Sequence, residues 1–310
     1  MPMNGVVTKT TGKRYTVKTD IEETIQCRLK GKFRIHGIKS TNPIVVGDKV
    51  EVVQESELWM IIKLYDRKNH ILRKSVNLSK QTHIIAANID QALLMITLNS
   101  PVTTTGFIDR FLVAANAYGI EVILLFNKVD LLSDELKVQH EKLKNVYENI
   151  GYTCFATSVI HDDLSDIKQA MKGKLNMISG HSGVGKSTLV NYLQPDLHIN
   201  TKEVSDTHRQ GQHTTTFSEL HELDFGASII DTPGIRGFGL VELDVAELSN
   251  YFPEFFALKL ECKFHNCIHK NEPQCAVKSA LENGDIAESR YKNYLKMLIE
   301  EEEHFRTNDY

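Results

Sequence analysis

The chain has 310 residues, 41% hydrophobic and 25% charged, with a formal charge of −4. That length suggests two or three domains, and no segment stays apolar over the roughly 20 residues that a membrane-spanning helix needs. The N-terminus has no apolar signal core, so a cytoplasmic, membrane-free protein with reduced cysteines is expected, and any cluster among its five cysteines points to a metal before a disulfide.

Residues 1–72 alternate apolar and polar in short runs: Gly5-Val6-Val7, Tyr15-Thr16-Val17, Ile25 to Leu29, Val50 to Val53 and Trp59 to Ile62. Gly12, Gly31, Gly37, Asn42-Pro43 and Gly47-Asp48 separate them. Five short strands in that length predict a small closed barrel of the OB type, a fold that binds RNA through a basic face. No acid falls between Glu23 and Asp48, where Arg28, Lys30, Lys32, Arg34 and Lys39 lie. A second acid-free stretch, Arg67 to Ile89, carries Arg67, Lys68, Arg73, Lys74 and Lys80. These stretches point either to a phosphate-rich partner or to a solvated strand face. Residues 73–83 read as a linker.

From residue 84 to about 238, strands and helices alternate, which predicts a mostly parallel sheet covered on both faces. Ala92 to Leu98 is a strand and Ile108 to Ala117 a helix. Val122 to Phe126 reads as a buried strand, Asp134 to Asn149 as a helix, Tyr152 to Ala156 as a strand, and Leu164 to Met171 as a helix.

Asn127-Lys128-Val129-Asp130 follows the second of these strands. The Asp130 carboxylate can accept from both the ring N–H and the exocyclic amine of guanine, a donor pair that adenine lacks. Asn127 would bond the base edge or tie the loop together, and the Lys128 stem would cover the ring face. Thr157 and Ser158 stand where a loop N–H meets the guanine carbonyl.

Gly180-His181-Ser182-Gly183-Val184-Gly185-Lys186-Ser187 comes next, a full G-x-x-x-x-G-K-[ST] match between an apolar strand and a helix. Its backbone N–H groups would cradle phosphate, from Gly180, Ser182, Gly183, Val184 and Gly185 through to Thr188, helped by the positive end of the following helix. Lys186 would reach the β- and γ-phosphates, and the Ser187 hydroxyl would ligate Mg²⁺. His213-Thr214-Thr215-Thr216 precedes the last strand, where a first switch belongs. One threonine there completes the magnesium shell, Thr214 or Thr215; we assign Thr215 to the ion and Thr214 to the nucleotide. Asp231-Thr232-Pro233-Gly234 ends the strand from Ala227, placing Asp231 near magnesium and the Gly234 N–H on the γ-phosphate. Ile235, at the position often held by a water-orienting glutamine, cannot polarise water; His213 is the nearest candidate for that task, beside a purely structural reading.

The guanine motif therefore precedes the phosphate loop, the reverse of an ordinary GTPase. The usual termini would join through Lys172-Gly173-Lys174, with new ends before Ala92 and after Gly234. Residues 239–310 follow, with Cys262-x₄-Cys267-x-His269-x₅-Cys275 as a closed set for one structural zinc, or a two-cysteine, two-histidine set using His265. Cys27 and Cys154 read as core. A helix from Ile286 to Phe305 carries Tyr291, Tyr294, Leu295 and Leu298 at helical spacing.

Barrel, rotated GTPase and cysteine-histidine knuckle, in this order, resemble the ribosome small-subunit-dependent GTPase A family over essentially the whole chain. The resemblance rests on Asn127 to Asp130, Gly180 to Ser187, Gly211-Gln212-His213-Thr214-Thr215-Thr216, Asp231 to Gly234 and Cys262 to Cys275. It implies a multidomain α/β protein: an OB barrel over 1–72, a circularly permuted P-loop GTPase over 84–238 and a helical zinc-binding domain over 239–310. The implied activity is GTP hydrolysis to GDP and phosphate, stimulated by the small ribosomal subunit during its late maturation, by a monomer that touches rRNA. Gln212 departs from the basic residue commoner there. A GTP-switched protein acting on another RNA, or a GTPase adaptor with a protein-binding barrel, are the alternatives.

Overall fold

A computed structural model describes residues 2–30, 43–74, 82–197, 218–231 and 245–308. Five strands form the N-terminal unit: β1 (Met3–Thr11), β2 (Arg14–Thr19), β3 (Thr24–Leu29), β4 (Lys49–Glu55) and β5 (Leu58–Leu64). They hydrogen-bond in the order β1-β2-β3-β5-β4, and β4 returns to β1, so the barrel closes and leaves no free edge. Their alternation sends Val7, Tyr15, Val17, Cys27, Val50, Val52 and Ile61 inward with Ile44. Arg67, counted within a basic stretch, turns inward as well. Its guanidinium grips Asp48 at 2.6 and 2.7 Å and takes no part in a basic face.

The residues bounding the expected linker are paired. β6 (His70–Lys74) and β7 (Thr82–Ala87) form an antiparallel two-stranded sheet, with 75–81 outside the described residues. Cross-strand backbone bonds need no long apolar run, so strands of five and six residues left no clear periodic signal.

β8 (Gln91–Ile96), β9 (Glu121–Asn127), β10 (Thr153–Thr157), β11 (Leu175–Ser179) and β13 (Ala227–Asp231) lie parallel in the order β10-β9-β8-β11-β13, and β12 (Glu219–Leu223) adds antiparallel to β13. Successive residues of each strand face opposite sides, and the core divides accordingly. Leu94, Ile96, Leu124 and Phe126 meet α1 (Thr105–Ala117) through Ile108, Phe111, Leu112 and Ala115, together with Tyr147 of α2 (Asp134–Asn149). On the other face Leu93, Met95, Ile123 and Leu125 meet Ile167 and Met171 of α3 (Ser165–Met171) and Leu189, Val190 and Leu193 of α4 (Lys186–Leu193). Thr104 and Ser133 cap α1 and α2 by accepting from the N–H groups of Phe107 and Leu136. The rotated order closes at Lys172-Gly173-Lys174, where Gly173 N–H donates to Gly226 O.

β12 also pairs with β1, so barrel and parallel sheet form one eleven-stranded sheet. Lys9 and Glu219 are opposite each other in that register and their side chains meet at 2.7 Å; Lys18 reaches Glu222 at 2.5 Å.

The C-terminal helices α5 (Pro253–Leu258), α6 (Ala276–Asn283) and α7 (Glu288–Asn308) build a core of Leu248, Phe252, Phe255, Val277, Tyr294 and Leu298, which also takes in Val113 of α1. At that contact Arg290 is 1% exposed. It donates to Asp109 of α1 at 2.7 Å and to both oxygens of Glu254 at 2.7 and 3.0 Å, while Tyr147 and Asn293 also donate to Asp109. Burial alone would lower the pKa of the guanidinium; Asp109 and Glu254 more than reverse this and keep it charged. Among the described residues no helix is long and apolar enough to cross a membrane.

Candidate functional site

The phosphate loop runs from the end of β11 to the start of α4. Gly180 has φ +140°, and a Cβ there would lie 2.6 Å from the Met95 carbonyl. At Gly185, φ is +106° and a Cβ would lie 2.5 Å from the Asn127 amide nitrogen. Both positions therefore exclude a side chain on conformational and steric grounds. Val184 is fully buried and anchors the loop, whereas Ser182 and Gly183 are exposed. Lys186, Ser187 and Thr188 form the first turn of α4, and the Lys186 ammonium curls back to donate to the carbonyls of Gly180 and His181, each at 2.7 Å.

The sheet brings the Asn127 to Asp130 loop against this one. Asn127 Nδ2 donates to Val184 O at 2.8 Å, and its Oδ1 accepts from Val159 N–H at 3.2 Å. Of the two roles considered for Asn127, tying loops together is the one that these bonds perform. Lys128, in the left-handed region at φ +63°, donates to the carbonyls of Ser100 and Gly183 at 2.7 and 2.8 Å. The Asp130 carboxylate remains partly exposed, with Oδ1 2.5 Å from the Ser158 hydroxyl. Thr157 and Ser158 are buried at the end of β10, so β9, β10 and β11 deliver three loops to one corner of the sheet. That corner lies at the carboxyl ends of parallel strands, where ligands of such sheets bind.

His213, Thr214, Thr215 and Gly234 lie outside the described residues; of Asp231 only the backbone, as the last residue of β13, is described.

Three features near these loops carried no sequence motif. The His181 ring packs on Phe107 with centroids 4.0 Å apart, and burial, then the neighbouring Lys186 charge, lowers its pKa. His161 Nε2 stands 3.9 Å from Asp130 Oδ2. Asp162 accepts from the Thr157 hydroxyl at 3.1 Å and from Ser158 N–H at 2.5 Å. A polar residue five positions beyond a strand is an ordinary loop feature, and only the fold gives it partners.

Cys262, Cys267, His269 and Cys275 converge, with their ligand atoms all within 4.8 Å of one another. His269 Nδ1 lies 3.6 Å from the Cys262 sulfur and 3.3 Å from that of Cys275. Three thiols and one imidazole at these separations match the donor set of a closed tetrahedral metal site. Cys267, His269 and Cys275 are buried, and burial pushes the Cys267 thiol up to about 12 and raises that of Cys275. Tyr291 and Tyr294 hold the ligand loop by donating to the carbonyls of His269 and Ile268. His265 is exposed and outside the cluster, which disposes of the two-histidine alternative.

Residues 64–241 match the family described as RsgA GTPase, and residues 4–58 match the RsgA N-terminal domain. The chain belongs to the RsgA GTPase family. It is accordingly a GTP hydrolase. A relative from Flavobacterium johnsoniae named small ribosomal subunit biogenesis GTPase RsgA is 55% identical over 313 residues, covering 99% of this chain and 96% of its own. A Bacteroides thetaiotaomicron relative, small ribosomal subunit biogenesis GTPase RsgA 2, is 49% identical over 97% of this chain and 98% of its own. YjeQ from Thermotoga maritima superposes with a TM-score of 0.79 at 35% identity, covering 97% of this chain and 98% of that one. YloQ, described as a circularly permuted GTPase, gives 0.77 at 29%, covering 98% and 96%. The RsgA fold thus accounts for the rotated motif order, the closed barrel and the position of the cysteine cluster.

Proposed function

We propose that this chain binds the small ribosomal subunit and assists its late maturation, hydrolysing GTP to GDP and phosphate when the subunit stimulates it. The reading draws on the names of relatives that match over nearly the whole chain. The structural observation that supports its GTP-binding part is the Asn127 side chain, which bonds the phosphate loop on one side and the Ser158–Val159 loop on the other. A guanine-reading loop and a phosphate-binding loop fixed to each other make one nucleotide site from a rotated sequence.

In this reading Asp130 accepts the two guanine donors, Lys128 and Asn127 set the loop, and Thr157 and Ser158 border the base carbonyl. The N–H groups of Gly180 to Thr188 take the phosphates, with Lys186 leaving its loop carbonyls for the β- and γ-phosphates. Thr214 and Gly234 add phosphate contacts. Ser187, which the fold puts in the first turn of α4, Thr215 and Asp231 would hold magnesium, which neutralises charge on the phosphate oxygens. The Cys262, Cys267, His269 and Cys275 set holds one structural zinc. Residues 1–72, 84–238 and 239–310 act as barrel, GTPase and zinc-binding units of a cytoplasmic monomer, with rRNA as the partner of its basic stretches.

Base choice gives a direct test. Asp130→Asn should weaken GTP binding by about tenfold or more, the value of a hydrogen bond to a charged group, and should favour xanthosine nucleotides, whose carbonyl replaces the amine. Titration with GTP and XTP reads this, and unchanged GTP affinity would remove Asp130 from the site.

Ile235 cannot orient water, so hydrolysis by the isolated protein should be slow. Purified small subunits should raise turnover and large subunits should not. His213→Ala should remove about a hundredfold or more of the stimulated rate, the usual cost of one positioning group, with nucleotide binding near normal. Stimulation retained in that variant would return His213 to a structural role. Co-sedimentation with each subunit across salt concentrations separates subunit binding from attachment to any other RNA or protein.

A further inference from the structure

The loop 157–162 contains a chain of hydrogen bonds that ends on the base-reading carboxylate. Asp162 Oδ2 accepts the Ser158 N–H at 2.5 Å and the Thr157 hydroxyl at 3.1 Å. The N–H groups of His161 and Asp162 return to Ser158 O at 2.7 and 3.0 Å, so the segment closes on itself around Ser158. Ser158 is 4% exposed, and its hydroxyl has two partners, both on Asp130: it donates to Oδ1 at 2.5 Å and accepts from the backbone N–H at 3.1 Å. Val159 N–H is held separately by Asn127 Oδ1. The orientation of Asp130 is therefore set by Ser158, and that of Ser158 by Asp162.

From this geometry we infer that Asp162 is a positioning residue for guanine recognition, acting through Ser158 to fix the plane of the Asp130 carboxylate. The inference rests on the assignment of Asp130 to the base. A carboxylate that must meet two parallel donors gains less from them if its terminal torsion is free, because that torsion must then be ordered on binding. A bond from Ser158 to Oδ1 removes that freedom beforehand, while Oδ2 faces His161 Nε2 at 3.9 Å, beyond hydrogen-bond distance. Asp162 is suited to hold Ser158 because an ionised carboxylate forms a short, strong bond with a backbone N–H. Asp162 itself is linked to Asp130 only through Ser158 in this chain of bonds.

The test compares GDP with IDP, which lacks the exocyclic amine but keeps the ring N–H, the carbonyl and both phosphates. Their affinity ratio isolates the contact between that amine and Asp130. Wild-type protein should prefer GDP by about tenfold or more, one hydrogen bond to a charged group. In Asp162→Ala that preference should fall at least about fivefold, with IDP, which keeps only the ring N–H contact to Asp130, losing less affinity than GDP. Asp162→Asn, whose amide oxygen still accepts the Ser158 N–H, should restore most of it. Ser158→Ala, which keeps the backbone beside the base carbonyl, should lower the GDP-to-IDP preference to the same extent, and combining both should lower it no further. It also carries the test if Asp162→Ala folds poorly. Equal weakening of GDP and IDP would make Asp162 a simple loop cap and overturn the inference. A wild-type protein that binds both nucleotides alike would overturn the Asp130 assignment, and the inference with it.

Discussion

Arg290→Met should destabilise the protein by about 3–5 kcal/mol, the cost of breaking a buried ion pair from one side. The guanidinium is almost fully buried and bonds Asp109, itself fully buried, together with Glu254. Its removal leaves two carboxylates facing an apolar neighbourhood. Tyr147 and Asn293 still donate to Asp109, whereas Glu254 loses both of its bonds from the guanidinium. Replacing Asp109 and Glu254 by apolar residues as well should recover much of the loss, because a fully apolar contact avoids the cost of desolvating charge. Denaturant titration of the three proteins measures both effects. A single substitution costing under about 1 kcal/mol would mean that water reaches the pair.

A larger effect is expected at the cysteine cluster. Protein purified without chelator should contain one tightly bound zinc per chain, and Cys267→Ser should lose it. Cys267 and Cys275 pack with Leu248, Phe252, Phe255 and Tyr294, so the ligands are part of the core that they support. Binding at small structural zinc sites is worth about 10–16 kcal/mol, most of it expressed as folding. In the variant, hydrogen exchange should quicken across α5, α6 and the first turns of α7 well beyond its rate in the parallel sheet. Elemental analysis without stoichiometric metal, or exchange left unchanged, would remove the metal from the account.

Both regions show where sequence reading stops. The barrel strands and the parallel strands were legible because one-sided burial imposes alternation and two-sided burial imposes apolar runs. Gly180 to Ser187 and Asn127 to Asp130 were legible because phosphate and guanine dictate residue types at fixed spacing. Cys262 to Cys275 stood out because three cysteines and a histidine at short spacing match the donor set of a metal site. The pairing of His70–Lys74 with Thr82–Ala87 gave no such sign, its strands being only five and six residues long. Asp109 offered only a hint, an acid among the apolar positions of α1, and nothing local pairs it with Arg290, 181 residues away. Asp162 was hidden for a similar reason: its meaning lies in what Ser158 touches.

The strand β12 belongs to two bodies at once. It is seated against β1 of the barrel through the register of Lys9 and Glu219, and it forms a hairpin with β13. That hairpin is entered from residues 198–217 and left after Asp231, the segments in which both nucleotide-sensing stretches are expected. The barrel is thus joined by backbone pairing, with Lys9 opposite Glu219, to the strand standing between them. Thermodynamic reciprocity then sets the size of the exchange. If a partner seated on the barrel changes nucleotide affinity by some factor, the nucleotide must change the grip on that partner by the same factor. The two partly exposed ion pairs at the seat, each worth about 1 kcal/mol or less, make it a joint that moderate salt can loosen.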